Sequence, residues 1–210
     1  MSALLRHNGR PVPYIAARSL ELVELPRLLG TRRGLDMQGH RRDADGWLWK
    51  PMLDTPGAGE PKLGTVNGPR QKRAMERLLC QVCGNPVVRN ALGYPWLLED
   101  HRGERKWPER ELTTHPPVCP PCQPISANHC DHLRAGVVSV RVGRVLTDGV
   151  YGQLYTPTRI PEPFGKKTIL FADDAPRRWM LGGQVAATLL DVTIVDMRTQ
   201  TPVSREAVRR

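Results

Sequence analysis

The chain has 210 residues, of which 40% are hydrophobic and 25% charged, so its composition is that of a folded protein and not of a disordered one. Its sequence contains no apolar run of 18 residues, which argues against a membrane span, and the N-terminus meets arginine and proline before a signal peptide could form. We therefore expect a cytoplasmic protein with reduced cysteines. The net charge of +10 is unevenly placed: residues 1–79 carry 14 basic and 8 acidic side chains, residues 136–210 carry 11 and 7, and residues 80–135 carry 6 of each.

The N-terminal region, residues 1–69, is basic and contains one predicted helix. The run ARSLELVELPRLLG (17–30) starts near a serine, continues with apolar residues and then meets a proline and a glycine, a pattern typical of a helix and its end. Trp47 and Trp49 mark a short predicted strand with both rings in the core, and stacking on nucleic-acid bases is the alternative. The stretch from 54 to 69 is rich in glycine and proline, which predicts a linker and a domain boundary.

The central region, residues 70–135, begins with a helix and then becomes polar. RQKRAMERLLC (70–80) places Met75 opposite several basic side chains, which predicts an amphipathic helix. NPVVRNALGYPWLLED (85–100) predicts a hairpin, and the polar residues that follow it predict a loop. We therefore expect little regular structure between this hairpin and residue 118.

The C-terminal region, residues 136–210, predicts β-structure with one helix and a basic tail. GVVSVRV alternates valines with small or charged residues, and Asp148–Gly149 predicts the turn of a hairpin between two strands. We expect a helix over roughly 177–190 and a further strand at 192–195. The last residues, TPVSREAVRR, predict a frayed tail.

Four of the five cysteines form two closely spaced pairs. They are Cys80 and Cys83, followed by Gly84, and Cys119 and Cys122. A spacing of two residues lets one tight turn direct both sulfurs at a single ion, and two such turns make a closed tetrahedral Zn²⁺ site. Gly84 suits such a turn because the residue behind the second cysteine often needs a positive φ. The alternatives are four buried thiols, a redox dithiol and an iron–sulfur cluster.

Other possible metal ligands lie near the second pair. His115 precedes it, and His129, Cys130 and His132 follow it in ANHCDH. Cys130 is an alternative to Cys122 as the fourth ligand, and together with one of these histidines it is a candidate for a second metal site. Our preferred interpretation is that Cys130 packs behind the knuckle as a reduced thiol while two of the histidines face solvent.

A knuckle followed by glycine, a hairpin-like stretch and a second Cys-x2-Cys resemble the zinc-ribbon and treble-clef families. The resemblance implies an α+β fold whose centre is zinc-ribbon-like or treble-clef-like, with short antiparallel strands and a few helices. The segment THPPVCPPC…CDHLRAGVVSVRV is also similar to uncharacterised actinobacterial zinc-knuckle proteins. An excess of arginine over lysine, 25 against 6, is typical of a GC-rich genome, and we expect an actinobacterial or actinophage source.

The stretch LLEDHRGER after the first pair resembles the cysteine-containing HNH endonucleases. In that family an acidic residue and a histidine follow the first knuckle, and Asp100 and His101 match them. The resemblance implies a histidine that polarises water and a metal on the scissile phosphate. The asparagine that the family places before the second knuckle is absent from ELTTHPPV, and Gln123 stands where a histidine commonly follows. A solvated loop pair is the alternative for Asp100 and His101.

Three functions follow from these observations. The first is a zinc-stabilised protein that binds nucleic acid through its basic flanks, since phosphate contacts require such residues. The basic candidates on the N-terminal side are Arg32, Arg33, Arg41, Arg42, Arg70, Lys72, Arg73 and Arg77. The second is a protein–protein adaptor or structural component in which zinc only shapes the fold. The third is a divergent HNH-like nuclease, although we expect no enzyme, and no membrane is expected as a partner.

Overall fold

The structure is a computed structural model that describes residues 4–104 and 106–203. The strands in these residues are β1 (Arg6–His7), β2 (Arg10–Pro11), β3 (Ala16–Arg18), β4 (Leu28–Thr31), β5 (Gly34–Met37), β6 (Leu48–Trp49), β7 (Pro61–Val66), β8 (Tyr94–Glu99), β9 (Leu112–Thr113), β10 (Val137–Tyr155), β11 (Pro163–Phe171) and β12 (Met180–Val195). The α-helices are α1 (Gly68–Glu76) and α2 (Gln123–His129), and short 3₁₀ turns span Ser19–Glu21, Pro120–Cys122, Asp131–Leu133 and Ala175–Trp179. Strands therefore dominate, in an arrangement compatible with the expected α+β class.

Six strands form one mixed sheet around the long pair β10 and β12. These two strands are antiparallel and stay paired from Ser139 opposite Val195 to Leu154 opposite Met180. The other edge of β10 pairs with β8 and then with β11, and the other edge of β12 pairs with β9 and, in parallel, with β6. Three two-stranded sheets, β1–β2, β3–β7 and β4–β5, complete the described strands.

The main core lies where α1 packs against the β8 end of this sheet. Val140 and Val142 of β10 are fully buried, as the predicted alternation requires, and they pack in one cluster with Trp96 of β8 and Leu189 of β12. Met75 of α1 is also fully buried in this cluster. Burying each such side chain contributes about 1.5–3 kcal/mol, so this cluster contributes substantially to the stability of the sheet.

The predicted helix at 70–80 is confirmed as α1, which begins two residues earlier, at Gly68, and ends at Glu76. The Asn67 side chain caps it by accepting a hydrogen bond from the Arg70 amide at 3.0 Å. The Arg70 guanidinium donates to the two carboxylate oxygens of Glu21 at 2.6 and 2.7 Å. Because both side chains are buried, a buried ion pair ties α1 to the N-terminal segment.

The helix predicted within residues 17–30 is wrong. The chain leaves β3, makes one 3₁₀ turn at Ser19–Glu21 and continues without a helix into β4. Glu21 is fully buried at this turn, whereas Leu20 and Leu22 are 66% and 46% exposed. An amphipathic helix would bury the leucines and expose the carboxylate, so the ion pair of Glu21 overrides the local apolar pattern.

The hairpin turn predicted at Asp148–Gly149 is also wrong, because β10 runs through it to Tyr155. A register shift between Leu146 and Gly149 accommodates one extra residue of β10 against β12. The Asp148 carboxylate accepts a hydrogen bond from the Thr188 hydroxyl of β12 at 3.1 Å. A Cβ at Gly149 would lie 3.0 Å from Ile169 of β11, so the glycine serves close packing between strands.

The helix predicted over 177–190 is replaced by a 3₁₀ turn at Ala175–Trp179 and by β12. The strand predicted at 192–195 is confirmed as the end of β12. A Cβ at Gly182 would lie 2.7 Å from Val150 of β10, so the glycine allows the two strands to approach. A short apolar run is compatible with a helix or a strand. Here the hydrogen bonds to β10 stabilise the strand.

Two further predictions hold in part. The predicted linker at 54–69 contains β7, which pairs with β3, and the predicted hairpin at 85–100 consists of a bridge between Asn90 and Gly93 followed by β8. The strand predicted at Trp47–Trp49 is confirmed as β6.

No helix in residues 4–104 and 106–203 has the length and apolar character needed to cross a membrane. The division into regions at 69 and 135 stays a prediction.

Candidate metal centre

The first cysteine pair sits on a tight hairpin-like turn directly after α1. Leu79 and Pro86 form an isolated bridge across its base, and the Cys80 amide donates to the Asn85 carbonyl at 2.8 Å. The Gly84 amide returns a hydrogen bond to the Cys80 carbonyl, also at 2.8 Å. These bonds fold the chain so that both cysteines of the pair point to the inside of the turn.

Gly84 has the positive φ that its position predicts, at 75°. A Cβ at this position would lie 2.8 Å from the ring of Tyr14, a residue of the N-terminal segment. The glycine is therefore required twice, once by the backbone conformation of the turn and once by the ring that packs on it.

The second pair begins a helix instead of closing a hairpin. Cys119 is extended, and the 3₁₀ turn that starts after it leads through Cys122 directly into α2. The Cys122 amide donates to the Cys119 carbonyl at 2.8 Å. Pro120 and Pro121 occupy first-turn positions, where a missing N–H costs nothing and a fixed φ favours the turn.

Backbone contacts bring the two turns together. The Gln81 amide donates to the Pro117 carbonyl at 2.9 Å, and the Cys119 amide reaches the Cys80 sulfur at 3.5 Å. Val118, between these contacts, is fully buried. The turns are therefore fixed to each other by the protein itself.

The four sulfurs of Cys80, Cys83, Cys119 and Cys122 all lie within 4.8 Å of one another. The Cys83 and Cys119 sulfurs are 3.8 Å apart, and all of these cysteines are free thiols with no disulfide among them. Four sulfurs bound tetrahedrally at 2.3 Å from one ion would be separated by about 3.8 Å. The arrangement therefore fits one ion held by four thiolates.

Without a bound cation, three of the four cysteine thiols have strongly shifted pKa values. A hydrogen bond from the Cys119 thiol, with further help from backbone amides, outweighs burial and lowers the pKa of Cys80 to about 5. The charge on Cys80 and the hydrogen bond to it raise the pKa of Cys119, and burial raises the pKa of Cys122 to about 12. A divalent ion would supply the positive charge that lets all four sulfurs lose their protons.

The surroundings of the sulfurs are apolar and dense. Cys80 and Cys122 are buried and Cys83 and Cys119 are half-buried. Their cluster includes Val87, Leu97 and Val118, and other partly buried apolar residues pack against it. Such a shell excludes water and gives a bound ion no open coordination position on the buried side.

The additional candidate ligands lie outside this group. In the described part of the chain the four cysteines above are the only group of three or more potential ligands at metal-binding distance, so Cys122 and not Cys130 completes it. His115 and His132 face each other with ring centroids 6.1 Å apart. His129 is exposed near the end of α2.

The residues that resemble the HNH motif are bound in a local polar network. Asp100 accepts hydrogen bonds from the Arg102 guanidinium at 2.6 and 2.9 Å, and this interaction lowers the pKa of Asp100. His101 lies 3.1 Å from Glu104 and 3.6 Å from Glu99. Asp100 is thus paired with an arginine, and in the described part of the chain neither Asp100 nor His101 belongs to a group of three potential ligands at metal-binding distance.

The predicted basic candidates divide into exposed and internally bound residues. The exposed ones are Arg32, Arg33, Arg41 and Arg77. Arg70 is not available to a partner, because it is buried against Glu21, and this corrects its interpretation as a phosphate contact. Arg73 pairs with Asp54 and also donates to the Tyr14 hydroxyl, and Lys72 pairs with Asp43.

Trp49 and Arg42 are similarly engaged within the protein. Lys72 lies over the Trp49 ring at 4.5 Å, and the Trp49 indole donates to Asp43 at 2.6 Å. Trp47 is buried in a core cluster with Val150, so neither ring is placed for stacking on bases. Arg42 donates to the backbone carbonyls of Leu35, Gly46 and Arg178.

Gln123 supports the centre and is a residue whose role sequence reasoning missed. It is fully buried directly after Cys122. Its side-chain oxygen accepts from the Ser139 hydroxyl at 2.9 Å and from the Gln200 amide at 3.0 Å, and its side-chain nitrogen donates to the Val118 carbonyl at 3.2 Å. The local sequence contains no signal for these contacts, because all but one partner lie on other segments.

Comparison with known proteins finds no matching family model, no similar curated protein and no similar solved structure. The four-cysteine group and the charged and apolar surfaces of the chain are therefore the basis on which a function can be argued.

Proposed function

We propose that Cys80, Cys83, Cys119 and Cys122 hold a structural zinc ion. The observation that carries the proposal is the set of four sulfurs within 4.8 Å of one another on two rigid turns. Thiolates favour Zn²⁺ among the common divalent ions, and a four-sulfur shell leaves no position for water or substrate. The ion would therefore stabilise the fold and take no part in catalysis.

The order of elements around the sulfurs supports a treble-clef-like centre. A knuckle is followed by β8 and β9, and the second pair lies at the start of α2. The ion would hold the turn after α1 against the start of α2. Such zinc sites contribute on the order of 10 kcal/mol or more to folding.

Cobalt substitution tests this site. We expect one Co²⁺ per chain to replace zinc and to produce the intense visible absorption and sulfur-to-metal charge-transfer bands of tetrahedral thiolate coordination. Cys83→Ser should weaken the charge-transfer bands, and Cys130→Ser, a matched change outside the group, should leave them unchanged. Weak octahedral absorption in the wild type would contradict the proposal.

We further propose that this zinc-stabilised fold contacts nucleic acid through arginines on its basic flanks. The structure brings the segment from Arg32 to Arg42 next to Arg178, which is far away in the sequence. The exposed Arg32 and Arg33 form the tip of the β4–β5 hairpin, and Gly34 at the foot of that tip packs on the backbone of Arg178. Arg42 donates to the Arg178 carbonyl at 2.8 Å. Several arginines therefore share one side of the molecule, as a phosphate backbone requires.

Salt-dependent binding to a nucleic-acid duplex and a single strand tests the second proposal. Arg32→Ala/Arg33→Ala should weaken binding and reduce the slope of log affinity against log salt by up to about 2, since each lost phosphate contact removes about 0.9. Lys106→Ala/Arg110→Ala removes the same charge from the neutral central region and should leave the slope unchanged. Equal effects of both double variants would contradict a specific arginine surface.

An adaptor function is the alternative, and one surface feature favours it. Leu20, Leu22 and Leu53 are 66%, 46% and 50% exposed. They lie near one another because the Leu53 amide donates to the Glu21 carbonyl at 3.0 Å. Exposed apolar patches mark protein-binding sites more often than nucleic-acid sites. If the protein bound no nucleic acid at low salt, the proposed function would become binding of a protein partner through these leucines.

A further inference from the structure

The region beside the zinc centre contains two cavities that meet at a pair of histidines. Each cavity has a volume of about 360 Å³. The residues that line both are Gln81, His115, Cys130, His132 and Leu133. His115 precedes the second knuckle and His132 lies in the 3₁₀ turn after α2, so the pair joins the two flanks of that knuckle.

The two rings are close enough for a small movement to bring them onto one ion. Their centroids are 6.1 Å apart with an angle of 47° between the ring planes. A metal–nitrogen bond of about 2.0–2.1 Å places each ring centroid about 3.2 Å from the ion, so two rings on one ion are at most about 6.4 Å apart. That limit applies when the two nitrogens lie on opposite sides of the ion, and a tetrahedral angle brings the centroids to about 5.2 Å. The rings would therefore have to approach each other by about 1 Å to share a tetrahedral ion.

The two imidazoles are available for binding. Both residues have exposed surface, and within residues 4–104 and 106–203 neither ring has a hydrogen-bond or ion-pair partner. His101 differs, since it contacts Glu99 and Glu104. Imidazoles without a partner on two separate segments are groups that a divalent ion can bridge.

The electrostatic surroundings favour a cation and a neutral His115 ring. The Glu99 carboxylate lines the second cavity and contributes negative charge. Protein atoms crowd the His115 ring although part of its surface reaches the cavities, and this burial, with the neighbouring His132, lowers the pKa of His115. The neutral imidazole is the form that binds metal.

We propose that His115 and His132 form a second metal site, distinct from the sulfur centre. Imidazole nitrogens suit borderline ions such as Zn²⁺, Co²⁺ or Ni²⁺. With two protein ligands, water completes the coordination shell, so the site binds more weakly than the four-sulfur site and exchanges its ion. Binding would fix the turn after α2 against the segment before Cys119.

Calorimetric titration of the full chain, loaded with one zinc per molecule, with further Zn²⁺ at neutral pH tests the site. We expect a second equivalent of lower affinity. His115→Ala and His132→Ala should each weaken it at least about tenfold, because loss of outer-shell partners alone costs about 10- to 100-fold. His129→Ala, a neighbouring exposed histidine that lines only one cavity, is the matched control and should bind as the wild type does.

Imidazole proton resonances give a second readout that does not depend on thermodynamic fitting. The rings of His115 and His132 should shift on addition of the second equivalent, and the ring of His129 should not. If His132→Ala reduces folding stability, His132→Gln, with an unchanged thermal midpoint, serves in its place. Absence of a second equivalent, its survival in both variants, or an equal loss in His129→Ala would overturn the proposal, while the sulfur site would remain measurable through the first equivalent.

Discussion

The four-sulfur centre and the long strand pair β10–β12 are stabilised by different interactions. The strand pair is held by a continuous ladder of backbone bonds and by fully buried valines and leucines such as Val140 and Leu189. The cysteine turns have few ladder bonds, and they contact each other through single bonds such as that from Gln81 to Pro117. Removal of the ion should therefore affect one region far more than the other.

The difference also concerns where the information for each region lies in the sequence. Two cysteines two residues apart, with a glycine behind them, specify a turn locally. A strand of 19 residues such as β10 depends on partners that are distant along the chain. The cysteine turns are thus specified by local sequence, whereas the strand pair depends on contacts between distant parts of the chain.

The largest effect should come from breaking the sulfur group. Cys119→Ser should weaken metal binding strongly and remove a large part of the roughly 10 kcal/mol of metal-coupled stability, because one of four thiolate ligands is lost. Hydrogen exchange should show the amides of 78–87 and 117–129 losing protection, with part of the β10–β12 ladder still protected. Cys130→Ser should leave both stability and exchange as in the wild type. Equal behaviour of the two variants would refute a metal role for Cys119.

A buried ion pair links the N-terminal segment to α1, and its disruption should rank second. Arg70→Ala leaves Glu21 charged and buried, which costs about 3–5 kcal/mol. Arg77→Ala removes the same charge from an exposed position at the end of the same helix and should change the free energy of unfolding by no more than about 0.5 kcal/mol. Chemical denaturation measures both, and a small effect of Arg70→Ala would show that Glu21 is not buried in solution.

Close packing within the strand pair should give the third effect. In Gly182→Ala the new methyl group would lie 2.7 Å from Val150 and 3.2 Å from the Trp49 ring. Overpacking of this kind costs about 1–3 kcal/mol. Gly64→Ala in β7, where a Cβ would meet nothing within 4 Å, is the control and should be nearly neutral or slightly stabilising. Thermal unfolding of both variants with metal bound measures the difference.

The titration of Glu21 should have a smaller effect than these substitutions. It should appear in the dependence of folding stability on pH. Burial alone would raise its pKa, but hydrogen bonds from Arg70, Arg18 and Asn67 outweigh burial and hold the pKa below the ordinary value of 4.5. Its stabilising contribution is therefore complete above pH 4.5 and is lost as the pH falls through the lower folded-state pKa. Glu21→Gln should lose less stability than the wild type below pH 4.5.

Metal release in acid is common to the wild type and Glu21→Gln, so the difference between their unfolding curves isolates the carboxylate. Parallel loss of stability in the two proteins below pH 4.5 would show that Glu21 does not titrate with a lowered pKa.

Sequence patterns identified the metal centre more fully than the fold around it. The two cysteine pairs and the positive φ of Gly84 follow from spacing alone, as does α1 from its apolar and charged faces. The helix expected over 177–190 fails because pairing with β10 stabilises an extended chain that the local residues do not distinguish from a helix. The prediction that Arg70 contacts phosphates at the surface is wrong, because its partner Glu21 lies 49 positions away and the local sequence does not indicate the pairing.

The central claim is that four sulfurs, and no other atoms, bind one zinc ion. Zinc-edge X-ray absorption of the His115→Ala/His132→Ala variant observes the sulfur centre alone, because that variant lacks the second proposed site. We expect one zinc per chain with four sulfurs at about 2.3 Å. A shell that contains nitrogen or oxygen, or purified protein that holds iron or no metal, would contradict the assignment of these four cysteines to a structural zinc site.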